Sequence, residues 1–275
     1  MRSVLISSIA AVAVVIVLVA GCDESPQQQG SGGGGSGGST ASNTQATSST
    51  APATSGMMVA AEATAPKATA VWPPVDASVT LAANLQQMNI VVVYDGSGSM
   101  DYDACGASGN RHSNAVPAVK KFVAAVPAEA NLGLLVFDTR GTTVRVPLAL
   151  KNAVTFNAAL DNVNIGSGTP LKNAITQAYR VLEKQAQAQL GYGRYVMLIV
   201  TDGEASSGQS PTRVVDFMVD KTAIEVHTVG LCISGRHSLN QPGRTFYTDA
   251  QNPDQLVAGL TSVLAEATAD QVTFD

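Results

Sequence analysis

Residues 89–100 read N-I-V-V-V-Y-D-G-S-G-S-M. Five of the first six residues are apolar and three of them are valines, which is typical of a strand buried on both faces in the middle of a parallel sheet. The apolar run stops at a carboxylate, Asp95, and two hydroxyls, Ser97 and Ser99, follow in a glycine-containing loop. Because Mg²⁺ prefers oxygen ligands in near-octahedral geometry, we predict a divalent-cation site at the end of this strand.

The composition limits what the chain can be. It has 275 residues, of which 45% are hydrophobic and 13% charged, and its net charge is -5. This length is sufficient for one hydrophobic core with attached segments. The mild acidity provides no basic surface for nucleic acid, so we expect no nucleic-acid partner.

The amino terminus has the pattern of an export signal. Arg2 precedes an apolar run over residues 4–20, which ends in L-V-A-G-C at Cys22 and is too short for a typical membrane span. The run resembles the lipobox of bacterial lipoproteins, which implies a signal peptide over residues 1–21 and a lipid anchor on Cys22. An ordinary secretory signal with an incidental cysteine is the alternative. Asp23 resembles an inner-membrane retention signal and favours the periplasmic face of that membrane within the cell envelope, with the outer membrane or cell surface as alternatives.

Residues 22–80 have a different composition, rich in Gly, Ser, Thr, Ala and Pro. Such a segment contains too few apolar side chains to form a core, so we predict a disordered tether with a root-mean-square span of roughly 40 Å. Trp72 is the only tryptophan. It either makes the first contact with the folded domain, predicted over residues 81–275, or remains an exposed aromatic in the linker.

The rest of the chain alternates between strand and helix patterns. A second buried strand is predicted over residues 194–201, and it too stops at an acid, Asp202. We expect further strands at 132–138, 143–150, 224–230 and 245–248, a polar loop at 101–113, and helices at 119–126, at 153–160 and from Pro170, Pro211 and Pro253. This order predicts a doubly wound, Rossmann-like α/β domain. Its sheet would be mostly parallel with one antiparallel edge strand, and helices would cover both faces.

Three segments would meet at one edge of that sheet. Asp95 and Asp202 follow strands, Thr169 lies in a loop entering a helix, and ligands of such folds bind at the carboxyl ends of the strands. D-G-S-G-S (95–99), G-T-P-L (168–171) and V-T-D-G (200–203) resemble the metal ion-dependent adhesion site of von Willebrand factor type A domains. The resemblance covers residues 89–267.

The resemblance implies a role for each of these residues. Ser97 and Ser99 would be direct ligands of the cation, and Thr169 a direct or water-bridged one. Asp95 and Asp202 would hold coordinated waters and balance charge. Mg²⁺ is the expected cation, with Mn²⁺ and Ca²⁺ as alternatives, and an acidic side chain of a protein partner would fill the open position. Together with the lipobox, this resemblance implies a membrane-anchored binding protein without enzymatic activity. An envelope scaffold or assembly factor with a structural metal, or a metal-dependent hydrolase, is the alternative.

Two further groups are predicted near this edge. Cys105 and Cys232 follow two parallel strands, and an exported protein meets an oxidising compartment, so we predict a disulfide between them; two buried, reduced cysteines are the alternative. Basic and aromatic loop residues would favour an acidic partner group around the cation, although they are also common on ordinary polar loops. These residues are Tyr102, Arg111, His112, Arg140, Arg236 and His237.

Overall fold

The computed structural model describes residues 71–150, 152–233 and 236–269. They form six strands, five α-helices and one short 3₁₀ turn. In chain order these are β1 (Met88–Asp95), the 3₁₀ turn (Gly98–Asp101), α1 (Arg111–Ala125), β2 (Asn131–Asp138), β3 (Gly141–Ala149), α2 (Ala153–Asp161), α3 (Leu171–Ala188), β4 (Arg194–Thr201), α4 (Thr212–Lys221), β5 (Ile224–Leu231), β6 (Phe246–Ala250) and α5 (Pro253–Ala269).

The strands form one sheet in the order β3-β2-β1-β4-β5-β6. Only the β2–β3 pair is antiparallel among the described strands, so β3 is the predicted antiparallel edge strand. The chain runs from β1 outward to β3, and β4 then returns to the other side of β1. This reversal places the carboxyl ends of β1 and β4 side by side, with Tyr94 opposite Val200. The predicted doubly wound α/β fold is confirmed.

β1 is buried on both faces, as its continuous apolar run predicts. Ile90, Val92 and Tyr94 belong to the core beneath α1, α2 and α5. Val91 and Val93 belong to the core on the opposite face, beneath α3 and α4. Since the strand is anchored from both sides, the loop that follows Asp95 starts from a rigid position.

The loop predicted over residues 101–113 is wrong at its carboxyl end, because α1 already begins at Arg111. Asn110 caps this helix, and its side-chain oxygen accepts a hydrogen bond from the amide of Ser113 at 2.8 Å. Periodicity missed the first turn because its side chains are polar: Arg111 bonds to Asp202, and His112 bonds to the Tyr94 hydroxyl. The last strand also differs slightly, since β6 begins at Phe246 and ends at Ala250.

The segment before β1 packs against the domain. Trp72 lies edge-on against Tyr195 with 5.3 Å between the ring centroids, and the Ala82 amide donates to the carbonyl of Ala188 at 2.8 Å. Of the two interpretations of Trp72, the contact with the domain is therefore confirmed. The predicted signal peptide, Cys22, Asp23 and most of the tether lie outside the described residues. Within the described ranges, no helix has the length and apolar character needed to cross a membrane.

Candidate metal centre

Asp95 ends β1 and is fully buried. Its Oδ1 accepts a hydrogen bond from the Ser97 amide at 2.8 Å, and its Oδ2 accepts one from the Thr201 hydroxyl at 2.5 Å. Burial, together with the negative charge of Asp202, raises the pKa of Asp95 to about 6, although both hydrogen bonds act in the opposite direction. A fixed, buried carboxylate with a raised pKa is one that a nearby positive charge would stabilise.

The two serines connect Asp95 to the second acid. The hydroxyls of Ser97 and Ser99 lie 3.1 Å apart, and the Ser99 hydroxyl donates to Asp202 Oδ1 at 2.7 Å. Ser99 and Asp202 are 103 positions apart in the chain. The parallel arrangement of β1 and β4 brings them together, so these four predicted site residues form one hydrogen-bonded cluster.

The loop that carries Thr169 lies against the same cluster. The Gly98 amide donates to the Ser167 carbonyl at 3.1 Å. This bond joins the Thr169 loop to the loop that carries Ser97 and Ser99, here called the serine loop. The amide of Thr169 donates to the Ser206 hydroxyl at 2.8 Å, and the Thr169 carbonyl accepts from the Ser206 amide at 3.0 Å. Only the main chain of Thr169 makes these contacts. Its hydroxyl forms no hydrogen bond within the described residues and is available as a ligand.

Gly96 permits the close approach of these loops. A Cβ atom at this position would lie 2.8 Å from Val163 Cγ1 and 2.9 Å from the carbonyl oxygen of Phe137. Neither distance is tolerated by a real Cβ atom, so a glycine is required between Asp95 and Ser97. The same contacts press the serine loop against the end of β2.

Arg111, predicted only as a member of the basic and aromatic set around the cation, is part of the cluster itself. Its Nη1 donates to Asp202 Oδ2 at 2.7 Å and to the Asp202 carbonyl at 3.3 Å. The guanidinium also lies 5.6 Å from the ring centroid of Tyr102, a distance typical of a cation–π contact. Thr201 was not predicted as a site residue. Its position next to Asp202 in the V-T-D-G segment is the one signal that could have identified it.

Three more residues of the predicted basic and aromatic set make internal contacts. His112 Nδ1 lies 2.9 Å from the Tyr94 hydroxyl. Arg140 pairs with the buried carboxylate of Asp138 at 2.9 Å. His237 Nε2 donates to a main-chain carbonyl in the loop after β4 at 2.9 Å, because its Nδ1 accepts from an amide. Tyr102 and Arg236 are exposed. A role for the set in partner binding remains a prediction.

Asp138 is a third buried acid at this edge of the sheet, in addition to Asp95 and Asp202. Burial acts to raise its pKa, but hydrogen bonds from Arg140 and from the Asn164 amide, with the charge of Arg145, outweigh burial and lower the pKa. This carboxylate therefore already has its compensating positive charges, unlike Asp95.

Cys105 and Cys232 form a disulfide, which confirms the predicted pairing. Their Cα atoms are 5.6 Å apart, and the bond joins positions separated by 127 residues. It links the loop after the 3₁₀ turn to the segment after β5, close to the cluster. The Cys232 amide also donates to the carbonyl of Ala250, the last residue of β6, at 2.8 Å.

These residues fit a hard divalent cation. The donor set consists of three hydroxyls and two carboxylates, all oxygen, which suits Mg²⁺, Mn²⁺ or Ca²⁺. The described part of the chain contains no cluster of three or more His, Cys, Asp or Glu side chains that could hold a metal. A cation here would therefore depend on the hydroxyls of Ser97, Ser99 and Thr169 and on coordinated water.

The fold and the cluster define an open α/β domain with an oxygen-lined site at the point where the strand order reverses. Residues 90–204 match the family model of the von Willebrand factor type A domain. The chain therefore contains a von Willebrand factor type A domain.

Individual relatives are distant. The uncharacterized protein YwmD of Bacillus subtilis (strain 168) is 26% identical over 200 residues, which are 65% of this chain and 86% of that protein. The pilus adhesin SpaC of Lactobacillus rhamnosus GG has a TM-score of 0.51 at 18% identity, over 68% of this chain and 31% of SpaC. Proximal thread matrix protein 1 of the mussel byssus, with a zinc-occupied MIDAS motif, has a TM-score of 0.51 at 17% identity, over 66% of this chain and 46% of that one. At these identities the solved structures establish the fold alone.

Proposed function

We propose that this domain binds a protein partner through a divalent cation and that the partner contributes an acidic side chain as a ligand. The observation that carries the proposal is the continuous hydrogen-bonded chain from Asp95 through Ser97 and Ser99 to Asp202. It places two hydroxyls between two buried carboxylates. Such a cluster can accept a cation without rearrangement of the strands.

In this proposal Ser97, Ser99 and Thr169 hold the cation, with Mg²⁺ as the first choice. Asp95 and Asp202 orient its water ligands and balance its charge. When bound, the cation supplies a positive centre that can accept a carboxylate from outside the domain. No catalytic step is required.

Two structural neighbours support a role in adhesion or assembly. One is named as a pilus adhesin, and the other as a thread matrix protein with zinc in its MIDAS motif. The second supports occupation of the site by a divalent metal in this fold. It also favours an assembly role as the second candidate function, in which the cation would stabilise an envelope scaffold.

We also propose that Cys22 carries a lipid that anchors the domain in the bacterial cell envelope, at the periplasmic face of the inner membrane. The support is the L-V-A-G-C sequence and the acid at Asp23. The Cys22→Ser variant should move the protein from the membrane fraction to the soluble fraction. An unchanged membrane fraction would contradict the anchor.

The cation is tested by calorimetric titration of the full-length protein with Mg²⁺ and with Mn²⁺. We expect saturable binding, abolished in Ser99→Ala because this variant removes both a ligand and the hydrogen bond to Asp202. Ser207→Ala is the matched control, since Ser207 is exposed in the loop after β4 and makes no hydrogen bond within the part of the chain that the structure describes. Equal binding by Ser99→Ala and Ser207→Ala would refute the proposed ligand set.

The same variant separates binding from a structural role. If the cation bridges to a partner, Ser99→Ala should lose partner binding at a temperature at which circular dichroism shows it to be as fully folded as Ser207→Ala. If the cation is structural, added Mg²⁺ should raise the melting temperature of the wild-type protein strongly, and partner binding should follow fold stability. Turnover of generic phosphoesters that Ser99→Ala abolishes would favour a hydrolase.

A further inference from the structure

Arg111 places a positive charge beside the two carboxylates of the candidate metal centre. Its Nη1 donates to Asp202 Oδ2 at 2.7 Å, while Ser99 donates to the other oxygen at 2.7 Å. The Asp202 side chain is inaccessible to solvent, and that of Arg111 is 19% exposed. A charged hydrogen bond in such a partly desolvated place is stronger than a surface ion pair.

Several contacts hold Arg111 in this position, through its main chain and through its guanidinium. The Arg111 amide donates to the Tyr102 carbonyl at 3.0 Å, and Arg111 is the first residue of α1 after its cap, Asn110. The Asn110 side chain in turn donates to Asp101 at 2.8 Å. The guanidinium lies over the Tyr102 ring. Its charge is therefore a permanent part of the centre.

We propose that Arg111 sets the charge of the occupied centre, so that the domain holds its cation more weakly and an anionic partner group more strongly. The inference rests on the proposed function and adds a determinant of partner chemistry to it. Asp95 and Asp202 together balance a divalent cation. Arg111 then leaves one surplus positive charge, which repels the incoming cation and attracts a carboxylate in preference to neutral ligands.

The effects of Arg111 on cation binding and on carboxylate binding have opposite signs, and this difference distinguishes them from simple damage to the site. A variant that merely disorders Asp202 would weaken the binding of both the cation and the carboxylate. Loss of the positive charge alone should tighten cation binding and weaken carboxylate binding. We expect the cation affinity and the carboxylate affinity each to change on the order of tenfold, because removing a unit charge at this range from a partly buried site changes ion binding by about that factor.

The experiment uses the full-length protein with Mn²⁺ as the metal probe. Mn²⁺ binding is measured by electron paramagnetic resonance. A short blocked peptide with one glutamate is then added to the Mn²⁺-loaded protein, and displacement of bound water is followed by proton relaxation. The same peptide with glutamine in place of glutamate measures the part of peptide binding that does not depend on the carboxylate charge. Arg145→Gln is the matched control, because Arg145 pairs with another buried carboxylate, that of Asp138, at 2.7 Å, and its side chain is 18% exposed, close to the 19% of Arg111.

Arg111→Gln should bind Mn²⁺ about tenfold more tightly and the glutamate peptide about tenfold more weakly, whereas Arg145→Gln should match the wild-type protein. Arg111→Lys retains the charge and should keep the wild-type Mn²⁺ affinity, which provides a test if the glutamine variant does not fold. Equal Mn²⁺ affinity of Arg111→Gln and wild type, or a lysine variant that tightens Mn²⁺ binding tenfold, would overturn the inference alone. Failure of both the wild-type protein and Arg111→Gln to bind Mn²⁺ would overturn the metal site and the inference with it.

Discussion

Removal of the Cys105–Cys232 disulfide should lower the free energy of unfolding by about 5 kcal/mol. The bond closes a loop of 127 positions, which includes β2, β3 and β4. For a loop of this length, the chain-entropy model gives a stabilisation of roughly 4.9 kcal/mol at 25 °C, because the cross-link restricts the unfolded chain. Domains of this kind are stable by about 5–15 kcal/mol. The disulfide is therefore a large part of the total.

The assay is equilibrium unfolding in urea, followed by circular dichroism and by the fluorescence of Trp72, which packs against Tyr195 in the folded domain. The double variant Cys105→Ala, Cys232→Ala is compared with the wild-type protein, with and without reductant. Both cysteines pack against the core beneath α1 and α5, so alanine avoids placing a new hydroxyl there. Reduced wild type should approach the variant, and the variant should not respond to reductant.

A loss of less than about 1 kcal/mol would refute the loop-entropy argument, since it lies far below the value that the model gives for this separation. Free thiols at both Cys105 and Cys232 in the denatured, oxidised protein would refute the pairing itself. A change in the denaturant dependence of unfolding would indicate that the reduced unfolded state is less compact, which the same argument predicts.

Three further outcomes are expected. Gly96→Ala should lower the free energy of unfolding by about 1–3 kcal/mol through overpacking and abolish Mn²⁺ binding. In the control Gly98→Ala, the new Cβ would meet only a carbonyl at 3.6 Å, so stability and Mn²⁺ binding should not change. Urea unfolding and titration followed by electron paramagnetic resonance measure the two effects. Asp138→Asn should cost about 3 kcal/mol at pH 7, because it removes the charge of a buried carboxylate that pairs with Arg140 and Arg145. Because the pKa of Asp138 is lowered, the difference from wild type should shrink as the pH falls through that lowered pKa. Because the pKa of Asp95 is raised to about 6, protons should compete with the cation, and Mn²⁺ affinity should be about tenfold lower at pH 5 than at pH 7; a pH-independent affinity would contradict this.

The strands were predictable because a central strand of a doubly wound sheet must be apolar on both faces. The runs that end at Asp95 and at Thr201 therefore end where the structure ends β1 and β4. The start of α1 was not predictable in this way. Its first turn is polar, so its side chains carry no helical periodicity of apolar residues.

The convergence of the candidate site was also predictable. Parallel strands present their carboxyl ends at one edge, so two acids that end neighbouring strands have to lie close together. The hydroxyls of Ser97 and Ser99 follow one of those acids within four positions, and the structure joins them to the other. Their role as metal ligands remains a prediction.

By itself, the sequence determined the fold class, the edge of the sheet that carries the site, and the oxygen chemistry of that site, because each depends on local patterns of apolar and polar residues. Only the tertiary structure decided which charges pair. Arg111 pairs with Asp202, 91 positions away, whereas Arg140 pairs with Asp138, two positions before it, although both arginines looked equivalent along the chain. The Arg111 pair depends on a separation of a few ångströms between distant segments, and no local pattern encodes that separation.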